Sequence, residues 1–121
     1  MTAVPSPLPD RLPSAELASV KRDKLTGYLL NLRHEQGRPK AVWFRDRLGF
    51  SLHHHEELRI ALREAAKTGR VTGCRPNQHG GLNWSVVVTV VGRNGATCDL
   101  LTVWSTRFPG AAPTFVTAYP D

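Results

Sequence analysis

Two stretches with a period of two, residues 82–91 and 96–105, stand on either side of Arg93, Asn94 and Gly95. An Asn-Gly pair between alternating runs is the strongest short-range hairpin signal a sequence carries, because both residues accept the positive φ that a tight turn demands. The C-terminal half is therefore built on a two-stranded ribbon. With Asn94 and Gly95 as the central turn residues, Val91 faces Cys98, Thr89 faces Leu100, Val87 faces Thr102 and Ser85 faces Trp104. One face then carries Trp84, Val86, Val88, Leu101 and Val103 and is expected to be the buried side. The other is expected to display Ser85, Val87, Thr89, Thr102 and Trp104, a surface of hydroxyls with one large aromatic.

An isolated hairpin is marginal in water, so the ribbon needs further layers. Residues 114–119 read as a last strand and residues 70–74 as a weak one; a short strand is also expected at 16–20. Between them lie three helical patterns. In residues 22–31 the stripe is Leu25, Tyr28, Leu29 and Leu32. In the second helix Ala41, Phe44 and Leu48 recur at helical spacing, Pro39 suits the first turn, and Gly49 suits the position just past the end. The third, residues 53–68, turns Leu58, Ala61, Leu62 and Ala65 inward and ends at Gly69. Helices followed by strands predict an α+β domain, with two to three N-terminal helices packed on one face of a four- to five-stranded antiparallel meander sheet.

A chain of 121 residues with 40% apolar side chains supports one such domain. Four prolines in the first 13 residues, Pro5, Pro7, Pro9 and Pro13, predict an extended, poorly ordered leader over residues 1–14, with the domain occupying 15–121. No apolar run is long enough for a membrane span, and the N-terminus lacks the basic flank and apolar core of a signal peptide. A cytoplasmic location is the expectation. Cys74 and Cys98 form no CxxC pair and read as reduced thiols.

The formal net charge of +6 is unevenly placed: residues 21–70 hold 12 bases against 6 acids. Such an excess suits an anionic polymer, because basic side chains that neutralise phosphates release condensed counterions, though it equally suits a solvated face. Within that region, His34 to Lys40 places an imidazole and a fixed positive charge around Gly37 and a helix start at Pro39. Those groups fit a phosphodiester whose ribose 2′-hydroxyl loses its proton while cationic groups hold the phosphorane charge, with no metal required. Trp104 at the end of the second hairpin strand would stack a base, with Ser105 and Arg107 or Arg93 beside it for phosphate. The run His53, His54, His55 cannot converge on one ion, because adjacent helical residues point about 100° apart, and Cys74 and His79 lack two further ligands. No metal site and no cofactor are expected.

The strings KLTGYLLN (24–31), HEQGRPKA (34–41), LGF (48–50), GRNG (92–95), TVW (102–104) and VTAYP (116–120), taken in order, resemble an uncharacterised bacterial domain family. Its pattern reads KLxxYLLNxxHPxGxxKAxFF, then a GxNG turn, TVW and VTAYP. The resemblance covers residues 20–120, and Glu35 stands where the pattern has Pro. The family's helices-then-meander layout looks like that of the barnase, EndoU, colicin and RelE group of metal-independent ribonucleases, often toxins. The resemblance implies an endoribonuclease acting on RNA and singles out His34, Gly37, Lys40, Thr102, Trp104 and Tyr119. The site expected is His34, Lys40, Thr102 and Tyr119 as catalytic residues, with Arg38, Trp104, Ser105 and Arg107 binding substrate. A toxin-type domain would also have a cognate inhibitor protein as partner. The alternative is a non-catalytic module that binds nucleic acid or protein through the open sheet face.

Overall fold

A computed structural model describes residues 3–121. A short irregular first helix, α1 (Arg22–Lys24), continues directly as a π-helical turn over Leu25–Leu29. Two regular helices follow, α2 (Arg38–Leu48) and α3 (His55–Thr68), and then four strands, β1 (Arg70–Pro76), β2 (Leu82–Val91), β3 (Thr97–Thr106) and β4 (Thr114–Pro120). The strands form one antiparallel sheet in the order β1-β2-β3-β4. This is the α+β architecture expected, with the helices gathered on one face of a meander.

The helical stripes hold with one exception. Ala41, Phe44 and Leu48 of α2 and Leu58, Leu62 and Ala65 of α3 are all buried. In the first helical segment Leu25 and Leu29 are buried, but Leu32 is 41% exposed and Leu30 has taken its place in the core. The wider turn, in which Leu30 N–H donates to the Leu25 carbonyl five residues back, sets Leu30 below Leu25, and the helical segment ends at Leu29, so Leu32 lies in the loop beyond it. The strand expected at 16–20 is instead a 3-10 turn at Ala15–Leu17 followed by a single parallel bridge between Ser19 and Thr114. Packing also begins ahead of residue 15, since Leu12 is buried and the Asp10 carbonyl accepts from Val71 N–H.

The hairpin differs from expectation in a way that decides which side chains the sheet presents. Gly92 N–H donates to the Ala96 carbonyl at 2.7 Å and Gly95 N–H to the Gly92 carbonyl at 3.0 Å. Gly95 has φ +84°, while Arg93 and Asn94 keep negative φ. The connection is therefore a three-residue loop with a left-handed glycine closing it, not a two-residue turn in which both central residues are left-handed. The strand β3 slips by one residue, so Trp84 faces Trp104, Val86 faces Thr102, Val88 faces Leu100 and Ser85 faces Val103. A one-residue slip exchanges the two faces of a strand. Thr102 and Trp104, expected on the open face, are both fully buried. Leu101 and Val103, expected in the core, lie on the open face with Ser85, Val87 and Ser105, each half-buried.

Burying two indoles requires acceptors for their N–H groups, because an unpaired donor in the interior costs about 1–3 kcal/mol. Trp104 Nε1 donates to Thr102 Oγ1 at 2.8 Å, and that hydroxyl donates onward to the Val86 carbonyl at 2.7 Å. Trp84 Nε1 donates to Thr106 Oγ1 at 2.9 Å. The Trp104 ring packs edge-on against Phe115 of β4 at 5.4 Å. Thr102 and Trp104 thus form a core pair with their hydrogen-bonding capacity satisfied.

The turn is itself a packing element. Arg93 N–H donates to the Leu48 carbonyl and Asn94 Nδ2 to the Arg47 carbonyl, so the hairpin tip satisfies the open C-terminus of α2. The two approach so closely that a Cβ on Gly92 would stand 2.5 Å from the Leu48 carbonyl oxygen. The LGF and GRNG strings of the sequence are the two halves of this contact.

Two outcomes follow for stability. Thr102→Val should lower the unfolding free energy by about 1–3 kcal/mol in urea denaturation, while Thr102→Ser should cost clearly less because it keeps the acceptor; equal costs would contradict the indole pairing. Gly92→Ala should destabilise by roughly 1–3 kcal/mol through overpacking against α2.

Candidate functional site

The loop between the π-helical turn and α2 is organised by His34. Its Nδ1 accepts the backbone N–H groups of Gln36 and Gly37 at 3.1 and 2.9 Å. A nitrogen that accepts two donors carries no proton, so the neutral imidazole holds its hydrogen on Nε2 and presents a donor outward. The ring lies edge-on against Tyr28 with centroids 5.0 Å apart. Gly37 is buried behind it, where a Cβ would fall 2.6 Å from the Tyr28 carbonyl oxygen. The spacing of His34 and Gly37 is therefore a close-packing requirement of this loop against Tyr28.

Pro39 lies in the first turn of α2, and that helix start points Lys40 back across Tyr28 towards β4. Lys40 Nζ donates to Tyr28 Oη at 3.0 Å and to Thr117 Oγ1 at 2.9 Å. The same ammonium sits 4.3 Å from the centroid of the Tyr119 ring and 5.1 Å from that of Tyr28. Both distances fall within cation–π range. Among the described residues no carboxylate is one of its partners. A half-buried ammonium held by two hydroxyls and two ring faces keeps its full charge available to an incoming anion. Tyr119 is 39% exposed, with no hydrogen-bond partner for its hydroxyl among the described residues.

The arrangement joins two neighbouring segments to a third that is distant in the chain. Tyr28 comes from the π-helical turn, His34 and Lys40 from the entry to α2, and Thr117 and Tyr119 from the edge strand β4. A π-helical turn shifts side chains off the regular helical register, and such turns recur at functional sites.

Of the residues assigned from sequence, His34, Lys40 and Tyr119 share this cluster. Thr102 and Trp104 do not, being sealed in the core on the inner side of the sheet, so neither meets a ligand. Ser105 lies on the outer side of β3, where it accepts from Asn77 Nδ2 at 3.4 Å, and it lines a separate groove together with the exposed Arg107. Arg38 is exposed in the first turn of α2. Arg93 is bound to Glu57 at 2.8 Å, an ion pair that links the hairpin tip to α3. Tyr28 and Thr117 were missed: Tyr28 reads as one more member of a helical stripe, and Thr117 as an ordinary strand hydroxyl. Both fall within strings that the family pattern contains, KLTGYLLN and VTAYP, and this was the signal that could have marked them.

The histidine run does other work. His54 Nδ1 accepts from Ser51 N–H at 3.1 Å and lies 3.0 Å from the Ser51 hydroxyl, a reciprocal cap ahead of α3. Among the described residues no three His, Cys, Asp or Glu side chains come together as a metal would need. Cys74 is half-buried on β1, and burial pushes its thiol above the ordinary range, away from the reactive thiolate.

A family model described as a domain of unknown function, DUF6883, matches residues 11–121. The chain belongs to that family. The DUF6883 match begins just before the buried Leu12, in agreement with where packing starts. No curated protein and no solved structure matches the chain. The Lys40 cluster of this DUF6883 chain is thus defined by its own geometry. No helix among the described residues is long and apolar enough to cross a membrane.

The tautomer of His34 is directly observable. Long-range ¹⁵N–¹H correlation of the imidazole should show Nε2 protonated and Nδ1 as an unprotonated acceptor above neutral pH; a proton on Nδ1 would contradict the loop geometry.

Proposed function

We infer that this domain is a metal-independent endoribonuclease whose reaction centre is the cluster of His34, Tyr28, Lys40 and Tyr119. The single observation that carries the reading is the Lys40 ammonium, held without a carboxylate and ringed by proton-bearing groups. Cleavage of an RNA phosphodiester without a metal needs a fixed positive charge for the phosphorane oxygens and a group that takes and returns a proton. Here the 2′-oxygen forms the new bond to phosphorus as its proton passes to a cluster tyrosine in its phenolate form, an anion set beside the Lys40 ammonium. The bond from phosphorus to the 5′-oxygen breaks, and that oxygen takes the proton from the phenol so formed, which returns the tyrosine to its starting state. The products are a 2′,3′-cyclic phosphate and a free 5′-hydroxyl, with no water consumed in the step. His34 donates a hydrogen bond from Nε2–H to a phosphorane oxygen and keeps its proton, because its other nitrogen accepts two backbone N–H groups of the loop. The helices-then-meander layout, which resembles that of small metal-independent ribonucleases, supports the same reading as an analogy of form. A cognate inhibitor protein belongs to this proposal.

The alternative of a non-catalytic binding module draws on the open sheet face. Its centre is now Val87, Leu101 and Val103, half-buried and apolar, which suits a protein partner better than a nucleic acid.

The test is incubation of the purified chain with a mixed RNA in EDTA. Cleavage to cyclic-phosphate ends is expected. It should fall by about 10²–10⁴ in Lys40→Gln and in His34→Ala, the scale of lost charge stabilisation or proton transfer. Tyr119→Phe, which keeps the ring beneath Lys40, separates a packing role from a proton-transfer role: unchanged activity would assign the proton transfer to Tyr28. Absence of cleavage, or equal cleavage by His34→Ala, would refute the enzymatic reading.

A further inference from the structure

A groove of about 1160 Å³ runs between the start of α1, the β1–β2 turn and the β3–β4 connection. Lys21, Lys24, His79 and Arg107 line it together with Asn83 and Ser105, and no Asp or Glu is among its lining residues. Lys21 and Lys24 are exposed and have no ion pair among the described residues. Other basic side chains carry an acid beside them: Arg45 has Asp46, Arg59 has Glu56, Lys67 has Glu64 and Arg93 has Glu57. A groove whose lining holds basic side chains and no acid is a local field for anions.

Its size and course indicate the kind of anion. Small-molecule pockets occupy roughly 300–1,000 Å³; this groove stands at the top of that range and lies open along the surface, as an extended ligand requires. It also leads to the Lys40 cluster by two routes. Val116 lines the groove, and the next residue of β4, Thr117, accepts from Lys40. Lys24 lines it too, and Tyr28, the other hydroxyl on Lys40, stands about one turn further along the same helical segment. Tyr28, Lys40 and Thr117 do not themselves line the groove, but two of its walls belong to the segments that hold Lys40. Asn83 and Ser105 on its floor offer neutral donors and acceptors between the flanking cations, a pairing suited to sugar and base edges rather than to charge alone.

We propose that this groove is the binding track for a single-stranded RNA, holding the backbone phosphates on Lys21, Lys24 and Arg107 and delivering the adjoining phosphodiester to Lys40. The proposal takes its ligand class from the nuclease reading, but binding in the track does not depend on cleavage.

The experiment measures binding of fluorescent 2′-O-methyl decauridylate, which lacks the attacking hydroxyl, by anisotropy in EDTA across a salt series. Lys21→Gln/Lys24→Gln should weaken binding about tenfold near 50 mM salt and reduce the slope of log affinity against log salt by about 1.4, since each phosphate contact to a single strand contributes about 0.7. The control Arg45→Gln/Lys67→Gln removes the same charge outside the groove and should leave both quantities within about twofold. Equal losses in the two double variants would show a general charge effect and overturn the track. Equal affinity of the parent chain for a decaglutamate peptide would overturn the nucleic-acid assignment in favour of an acidic protein partner. A chain that binds as expected yet never cleaves RNA supports the track and refutes the nuclease reading alone.

Discussion

The register of the β2–β3 hairpin is the constraint on which the rest of the structure depends. A left-handed Gly95 closes a three-residue loop, and that geometry, rather than the apolar pattern, aligns Trp84 with Trp104. Because a strand's side chains alternate with period two, the choice commits every residue of β3 at once. Thr102 and Thr106 then become the acceptors that allow two indoles to be fully buried, and Phe115 packs against one of them. The same loop closes the C-terminus of α2 through Arg93 and Asn94, so the register of the sheet and the seating of the helix that carries Lys40 are fixed together.

This arrangement moves the chemistry from the sheet face to its edge. With Trp104 inside, the centre of the open face is Val87, Leu101 and Val103, and its one aromatic among the described residues is Tyr119 on the edge strand, opposite Leu101. The edge strand β4 contributes Thr117 and Tyr119, and α2 brings a lysine against them. The ammonium is stabilised by hydroxyl oxygens and ring faces instead of a carboxylate, so it is held in place without being neutralised. A carboxylate partner would have fixed Lys40 equally well and left it a poor anion site. The basic groove borders the same two segments, and Lys21 and Lys24 bring part of the helical region's charge to it.

Much of the fold was legible because it rests on local signals. Pro39 and Gly49 bracket α2, the stripe from Leu58 to Ala65 defines α3, and the Asn-Gly pair locates the hairpin. What was not legible depends on a single position. Asn-Gly is compatible with more than one loop, and the two alternatives put opposite faces of β3 in the core, so Trp104 was assigned to the surface. The short π-helical turn had the same effect on a smaller scale, exchanging Leu32 for Leu30. For the site, His34, Lys40 and Tyr119 were found because their residue types announce chemistry and their strings follow a family pattern. Tyr28 and Thr117 acquire meaning only when β4 and the π-helical turn are brought to either side of Lys40.

The central claim is that ligands meet this domain at the Lys40 edge and not at the centre of the open sheet face. Backbone amide chemical-shift mapping with an uncleavable uridine oligonucleotide tests it most directly. The account predicts perturbations at Tyr28, Gly37, Lys40 and Tyr119 that extend through Lys24 and Arg107. Perturbations confined to Val87, Leu101 and Val103 would contradict it.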